Sequence, residues 1–309
     1  MQTLLLTGCG GYVGNVLARQ ALDAGYKVIG VDNFHKGNCD ALFSIADNEY
    51  FTFEYGDVTD LKRMIQLCDK ADAIIHLAAI VGFPACTRQP ALATAVNVQG
   101  TENMLLARKS KPIVFASTGS VYGKVEDVCT EESPLNAVSL YGTTKIEAEN
   151  MVSSAENSLS FRFATGFGAS PCMRVNLLVN DLVYRALTER HINIFQANFR
   201  RTFISVQDMA NCFLWGVNQL FNKTNKYKVY NAGDNSLNLT KRELAEYISK
   251  QTGCYVTYSD SGNDLDQRDY EVSFERLNNE GFYCQRTMEE VIDELIKITP
   301  LLQIRHQYE

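Results

Sequence analysis

Tyr141 and Lys145 form the only Tyr-x-x-x-Lys pair in a chain with 15 tyrosines, and on a helix residues four apart share a face. An unperturbed phenol titrates near pH ~10, too high for a general base at neutral pH, but a neighbouring ammonium favours the phenolate and lowers that value. The same pair could also lie on a surface helix without consequence. A second group of hydroxyls, in Ser117-Thr118-Gly119-Ser120-Val121-Tyr122-Gly123, follows the apolar run Ile113-Val114-Phe115-Ala116. That is the carboxyl end of a strand, where open α/β sheets bind ligands. A hydroxyl there can bridge a tyrosine and a substrate oxygen, or can simply satisfy its own loop.

A third feature lies near the start of the chain. Glycines 8, 11 and 14 separate the run Thr3 to Thr7 from an apolar-periodic stretch, Asn15 to Ala24. A tight strand-to-helix turn that approaches a pyrophosphate leaves no room for a Cβ, and the phosphates then face a positive helix N-terminus. The next apolar run, Val28-Ile29-Gly30-Val31, ends in Asp32, whose carboxylate can accept both hydroxyls of a ribose and repel a 2′-phosphate. That favours NAD over NADP, with Lys36 close enough to weaken the preference. Asp57, followed by Val58, is read either as an acceptor for an adenine amino group or as the cap of a helix beginning near Leu61.

These residues need elements to hold them. Short apolar or β-branched runs at Thr3 to Thr7, Lys27 to Val31, Tyr50 to Tyr55, Ala73 to Leu77, Pro112 to Ala116 and Ser160 to Ala164 alternate with helical spacing. That alternation predicts an α/β fold over residues 1–168, a Rossmann-like doubly wound parallel sheet that binds NAD. Residues 169–309 read as a smaller, mixed α/β substrate lobe, with helices around Asn176 to Arg190 and through Trp215 and a strand at Thr202 to Val206. Capping boxes at Thr240–Glu243 and Thr287–Glu290 open two more helices. The run Tyr227 to Asn231 is expected to return to the first sheet.

Composition removes several classes. The 309 residues are 46% hydrophobic and 21% charged, with a net charge of −7, so no footprint for nucleic acid or an anionic membrane is expected. The nine cysteines lie singly, without Cys-x-x-Cys or Cys/His ligand spacing. They read as reduced and mostly buried in a cytoplasmic protein, with no metal site. No run is long enough for a signal peptide or a membrane span.

Taken together, the glycines, Asp32, Asp57-Val58, His76-Leu77-Ala78-Ala79, Asn97 to Thr101, Ser117-Thr118 and Tyr141 to Lys145 resemble, in order and spacing, the extended short-chain dehydrogenase/reductases. The resemblance implies that Tyr141 is the acid/base, that Lys145 binds the nicotinamide ribose and tunes Tyr141, and that Thr118 bonds the sugar oxygen being oxidised. It implies an NAD site of Gly8, Gly11, Tyr12, Val13, Gly14, Asp32, Asn33, Asp57, Val58, Leu77, Ala78, Ala79, Asn97 and Ser117 together with Tyr141 and Lys145, although Asn97 could instead cap a helix. The substrate would be a nucleotide sugar, GDP-, UDP- or similar, held by Val81, Gly82, Ser120, Thr165, Arg174, Asn176, Arg201 and Arg268; Arg200 reads as a surface ion pair.

One departure narrows the reaction. Members that eliminate water carry Asp-Glu after the threonine, and Gly119-Ser120 cannot supply that acid/base pair. A 4-epimerase or a 4-dehydrogenase in surface polysaccharide or glycoconjugate sugar synthesis remains. The stretches 170–181, 199–204 and 268–273 resemble bacterial GDP-heptose 4-dehydrogenases. A 4-keto reductase and a dinucleotide-binding regulator without turnover stay open as alternatives. A homodimer is expected through helices near Pro90 to Arg108 and Ser139 to Ser154, where Leu92, Val96, Met104, Leu105, Ile146 and Met151 recur at helical spacing.

Overall fold

The computed structural model describes residues 1–36, 39–125, 127–222, 226–259 and 269–302. Strand β1 (Thr3–Thr7) shows why the sheet is covered on both faces. Its side chains alternate, so Leu4 and Leu6 enter one buried cluster and Leu5 another. Helix α1 (Gly14–Asp23), strands β2 (Lys27–Asp32) and β3 (Phe51–Tyr55), helix α2 (Leu61–Asp69) and strand β4 (Ala73–His76) follow. Next come the short helices α3 (Phe83–Arg88) and α4 (Pro90–Thr94), a π-helical turn at Ala95–Gln99 and helix α5 (Gly100–Ala107). Strand β5 (Ile113–Thr118), helix α6 (Leu140–Ser153) and strand β6 (Ser158–Phe163) complete this stretch.

The chain then builds β7 (Thr165–Phe167), α7 (Leu178–Thr188), β8 (His191–Phe195), β9 (Arg200–Ser205) and α8 (Val206–Asn222). Strands β10 (Lys228–Ala232) and β11 (Asn238–Thr240), helix α9 (Lys241–Thr252), strand β12 (Tyr255–Ser259) and helices α10 (Glu275–Asn279) and α11 (Met288–Ile298) finish it. Both expected capping boxes form, at Thr240 with Glu243 and at Thr287 with Glu290.

Seven parallel strands form a Rossmann-like sheet in the order β10-β6-β5-β4-β1-β2-β3. The order reverses at β1, which lies between β4 and β2, and a crevice opens there above the strand ends. The returning strand pairs Tyr230 with Phe161. Helix α8 also lies on this sheet, contributing Phe213, Val217 and Leu220 to the cluster that holds Leu4 and Leu6. Its approach is close because residue 216 is glycine: a Cβ there would stand 2.9 Å from the Phe161 ring. A separate core joins Phe167 with residues of α7, α9 and α11. Two small sheets, β11-β9-β7 and β12-β8, accompany it.

The stretch expected to be one helix from residue 90 to 108 is interrupted by the π-turn. Within the expected pairing face, Val96 and Met104 are buried in the chain's own core. Leu106 is exposed, and Leu92, Leu105, Ile146 and Met151 are half-buried. Among the described residues no helix is long and apolar enough to cross a membrane, and all nine cysteines are free.

Candidate functional site

A cleft of about 900 Å³ opens over the carboxyl ends of the sheet strands. Of the residues expected from sequence to form a site, Arg268 lies outside the described residues and Asn97 is set behind the wall; all the others line this cleft.

The glycine loop is shaped as a cradle. Gly8 has φ +76°, the left-handed region, and a Cβ there would meet the Ala78 nitrogen at 3.0 Å. A Cβ on Gly14 would stand 2.0 Å from the Gly8 carbonyl oxygen, which no other residue could tolerate. Asp32 is fixed opposite: one carboxylate oxygen accepts from Gly10 N at 2.9 Å and the other from Phe34 N at 2.8 Å. Lone pairs remain on both oxygens for vicinal hydroxyls.

The cap of α2 is Asp60, which accepts from Arg63 N, and not Asp57. Asp57 instead accepts from Thr59 N, from the Thr59 hydroxyl and from Asn33 Nδ2 at 2.6 Å. Burial opposes ionisation of Asp57, but these donors hold its carboxyl below the usual range.

The wall that carries Tyr141 and Lys145 is helix α6. Ser139 caps it by accepting from Gly142 N, which fixes where Tyr141 and Lys145 emerge. Lys145 is 2% exposed, with its ammonium 4.0 Å from the centre of the Phe115 ring. Desolvation pulls its pKa from 10.5 down to about 7, against the attraction of Glu149. Near it, His76 is wholly buried between the hydroxyls of Thr7 (2.8 Å) and Thr101 (3.2 Å). Desolvation, aided by Lys145, lowers the His76 pKa to about 3, so the ring is neutral.

Asn97 is neither a cap nor a wall residue. From the π-turn its Oδ1 accepts from Ile80 N at 2.7 Å, while its Nδ2 donates to the Ile80 carbonyl and to Thr144 Oγ1, both at 3.0 Å. It therefore ties the strand-end segment that follows His76 to helix α6.

The hydroxyls after β5 divide. Ser117 donates to Glu149 Oε2 at 2.5 Å, so its hydroxyl proton is committed to α6 and only its lone pairs and backbone are left for a ligand. Thr118 caps a short turn: its Oγ1 accepts from Ser120 N and donates to Ser120 Oγ, each at 3.2 Å. This is the self-satisfied loop, yet both residues face the cleft.

Glu149 was not singled out from sequence. It continues the register of Tyr141 and Lys145 by one more turn, and it pairs with Arg162 Nη2 at 2.6 Å, both side chains being almost fully buried. Arg162 Nη1 also donates to the Tyr122 hydroxyl at 3.0 Å, which donates to Asn231 Oδ1 at 2.6 Å. The network thereby reaches from α6 to the returning strand β10.

Across the cleft, half-buried Thr165, Arg174 and exposed Asn176 lie on β7 and the irregular arm after it, and buried Arg201 on β9. Burial lowers the Arg174 pKa while Tyr141 and Tyr12 oppose that shift. Lys36 shares this space; its pKa is lowered by burial and then by Arg174. Arg200, as expected, is a surface ion pair, with Glu271. Tyr270, missed from sequence, is 3% exposed and closes the cleft beside Gly119, where a Cβ would stand 3.3 Å from its hydroxyl.

Residues 4–233 match the model of the NAD dependent epimerase/dehydratase family. The chain is 27% identical over 265 residues to UDP-glucose 4-epimerase 2 of Arabidopsis thaliana, covering 75% of this chain and 76% of that one. It superposes with a TM-score of 0.84 on the UDP-Glc/GlcNAc 4-epimerase from Campylobacter jejuni, at 22% identity over 98% of this chain and 100% of the other. On UDP-glucose 4-epimerase from Brucella ovis in complex with NAD the TM-score is 0.82, at 21% identity over 97% and 98% of the two chains.

Proposed function

Given that this chain belongs to the NAD dependent epimerase/dehydratase family, we propose that it inverts C4 of a nucleotide-linked hexose, with UDP-glucose the first substrate to test. The observation that carries this reading is a single cleft in which the glycine loop and Asp32 lead to Tyr141, Lys145 and Thr118, with Arg174, Asn176 and Arg201 facing them.

The cleft suits NAD. A Cβ at Gly8 or Gly14 would fill the cradle, and Asp32 keeps acceptor capacity for a ribose diol. NAD, when bound there, supplies the acceptor and donor for the C4 hydride. Tyr141 takes the proton of the C4 hydroxyl and returns one to the same oxygen after inversion. Thr118, released from Ser120, bonds that oxygen. Lys145 holds positive charge beside the phenolate and donates to the nicotinamide ribose. Arg174, Asn176 and Arg201 bind the diphosphate, for which a guanidinium fork is suited.

Loss of water is disfavoured. No acid follows Thr118, and the space over Gly119 is bounded by the Tyr270 hydroxyl and, at 3.4 Å, the Phe163 carbonyl. A second reading, oxidation of a GDP-heptose without inversion, draws on the arm segment that carries Arg174. We further propose that the chain pairs through α5 and α6, where Leu106 is 61% exposed. Light scattering should then give twice the chain mass of 34.6 kDa; the single-chain mass would oppose pairing.

The deciding experiment incubates the purified protein and NAD with UDP-glucose, UDP-N-acetylglucosamine and GDP-linked sugars and identifies the products. Inversion at C4 without net cofactor reduction supports the epimerase. Stoichiometric reduction with one sugar moves the assignment to a dehydrogenase.

A further inference from the structure

The mechanism above leaves one buried polar group of the glycine loop unused, the hydroxyl of Tyr12. The residue is 7% exposed. Its hydroxyl donates to the Gly168 carbonyl at 2.7 Å and accepts from Asn180 Nδ2 at 3.4 Å. Asn180, at the start of α7, is itself fully used: its Oδ1 accepts from Gly168 N at 3.0 Å, and its Nδ2 also donates to the Arg174 carbonyl at 2.9 Å. Gly168 has φ +110°, so the departure of the chain from β7 is fixed by a backbone that favours glycine.

A second tie lies beside the first. Ser170 Oγ donates to the Tyr12 carbonyl at 2.7 Å and lies 3.3 Å from Asn15 Oδ1, while Asn15 Nδ2 donates to the Gly11 carbonyl at 2.7 Å. The arm from 168 to 174 is thus held to the glycine loop at Gly168, at Ser170 and, through Asn180, at Arg174. Burial pushes the Tyr12 phenol up, so it stays a neutral donor across the working pH range.

We propose that Tyr12 is a positioning residue that joins two binding events: the loop that cradles the dinucleotide holds, through the Tyr12 hydroxyl and Asn180, the arm that carries Arg174 to the sugar nucleotide's diphosphate. The proposal rests on the reading of the cleft as a nucleotide-sugar site. Setting the loop with NAD sets the arm, so NAD and the nucleoside diphosphate each tighten the other, and by linkage the factor is the same in both directions.

The test is calorimetric titration of UDP into the protein with and without saturating NAD, for wild type, Tyr12→Phe, Asn180→Ala and Arg174→Ala. In wild type NAD should tighten UDP by at least about fivefold, the lower end of ordinary coupling. Tyr12→Phe should keep NAD affinity within about threefold, bring the coupling factor close to one, and raise KM for the nucleotide sugar with kcat little changed. Asn180→Ala should do the same, and the double variant should add nothing further, because both residues serve one relay. Full NAD-dependent tightening in Tyr12→Phe, with UDP weakened by Arg174→Ala, overturns the coupling while the site reading stands. An equal loss of NAD and UDP affinity in Tyr12→Phe also overturns it, since the hydroxyl would then be shaping the loop itself. Unchanged UDP affinity in Arg174→Ala removes the site reading, and the proposal with it.

Discussion

Lys145, Ser117 and Glu149 stand on a regular helix and strand and are nearly fully buried, whereas Arg174 and Asn176, across the same cleft, ride on an irregular arm and are half-buried and exposed. The wall proposed to do the chemistry is held from behind by the Glu149–Arg162 pair and the Tyr122–Asn231 bond. The arm is held by a few bonds to the glycine loop. Groups that must act on one atom are fixed by a network that resists local change. Groups that must admit and grip a bulky ligand are fixed at a few points that can yield. Changes on the first wall should therefore cost chemistry or folding, and changes on the second should cost binding.

The largest expected effect is on turnover. Tyr141→Phe removes only the proton-carrying hydroxyl, so steady-state rates with the identified substrate should fall by about 10²- to 10⁴-fold while NAD binding persists. More than half of wild-type activity in this variant would end the assignment of Tyr141. Next is folding. Glu149→Gln leaves Arg162 buried without its counter-charge and should cost about 3–5 kcal/mol in urea unfolding, whereas Arg174→Gln should leave the midpoint nearly unchanged. Equal costs for the two would erase the contrast between the walls.

A smaller effect is expected at the cofactor end. Asp32→Ala should weaken NAD and narrow its advantage over NADP, since the acceptor held by Gly10 N and Phe34 N is lost. Fluorescence titration of both dinucleotides checks this; unchanged discrimination would pass the role to Lys36.

The smallest effect concerns Lys145. Folding lowers its pKa from 10.5 to about 7. Between those values the unfolded chain binds a proton that the folded chain lacks, so this group makes stability rise with pH across that window. Below the window the full cost of a buried ammonium applies. Lys145→Met should therefore gain most over wild type below about pH 7 and lose that advantage as pH approaches about 10. A gain that does not vary with pH in thermal melts would contradict the shift.

How much of this was legible in the sequence also differs between the walls. Tyr141 and Lys145 could be paired because helical spacing alone puts them on one face. Glu149 obeys the same spacing but was passed over, because a glutamate on a helix is normally solvated and its partner Arg162 lies on another element, brought in only by the sheet. Asp57 could be read as a cap because where α2 starts is not written in the sequence; the helix opens at Leu61 with Asp60 as its cap, and Asp57 turns back to Thr59. Tyr12 was expected to serve the dinucleotide from within its loop, while the tie from its side chain to Gly168 joins residues 156 positions apart, half the length of the chain. The sheet itself was readable because continuous apolar runs can be buried only between two helical layers, as the division of Leu4, Leu5 and Leu6 demonstrates.

The most direct test of the central claim is incubation of UDP-glucose carrying deuterium at C4 with the protein and NAD, followed by proton NMR. If Tyr141 handles only the oxygen-bound proton and the carbon-bound hydrogen leaves and returns within one closed cleft, UDP-galactose should form with the deuterium still at C4 and no lasting build-up of reduced cofactor. Deuterium exchanged for solvent hydrogen, or a reduced cofactor accumulating in step with an oxidised sugar, would contradict the account.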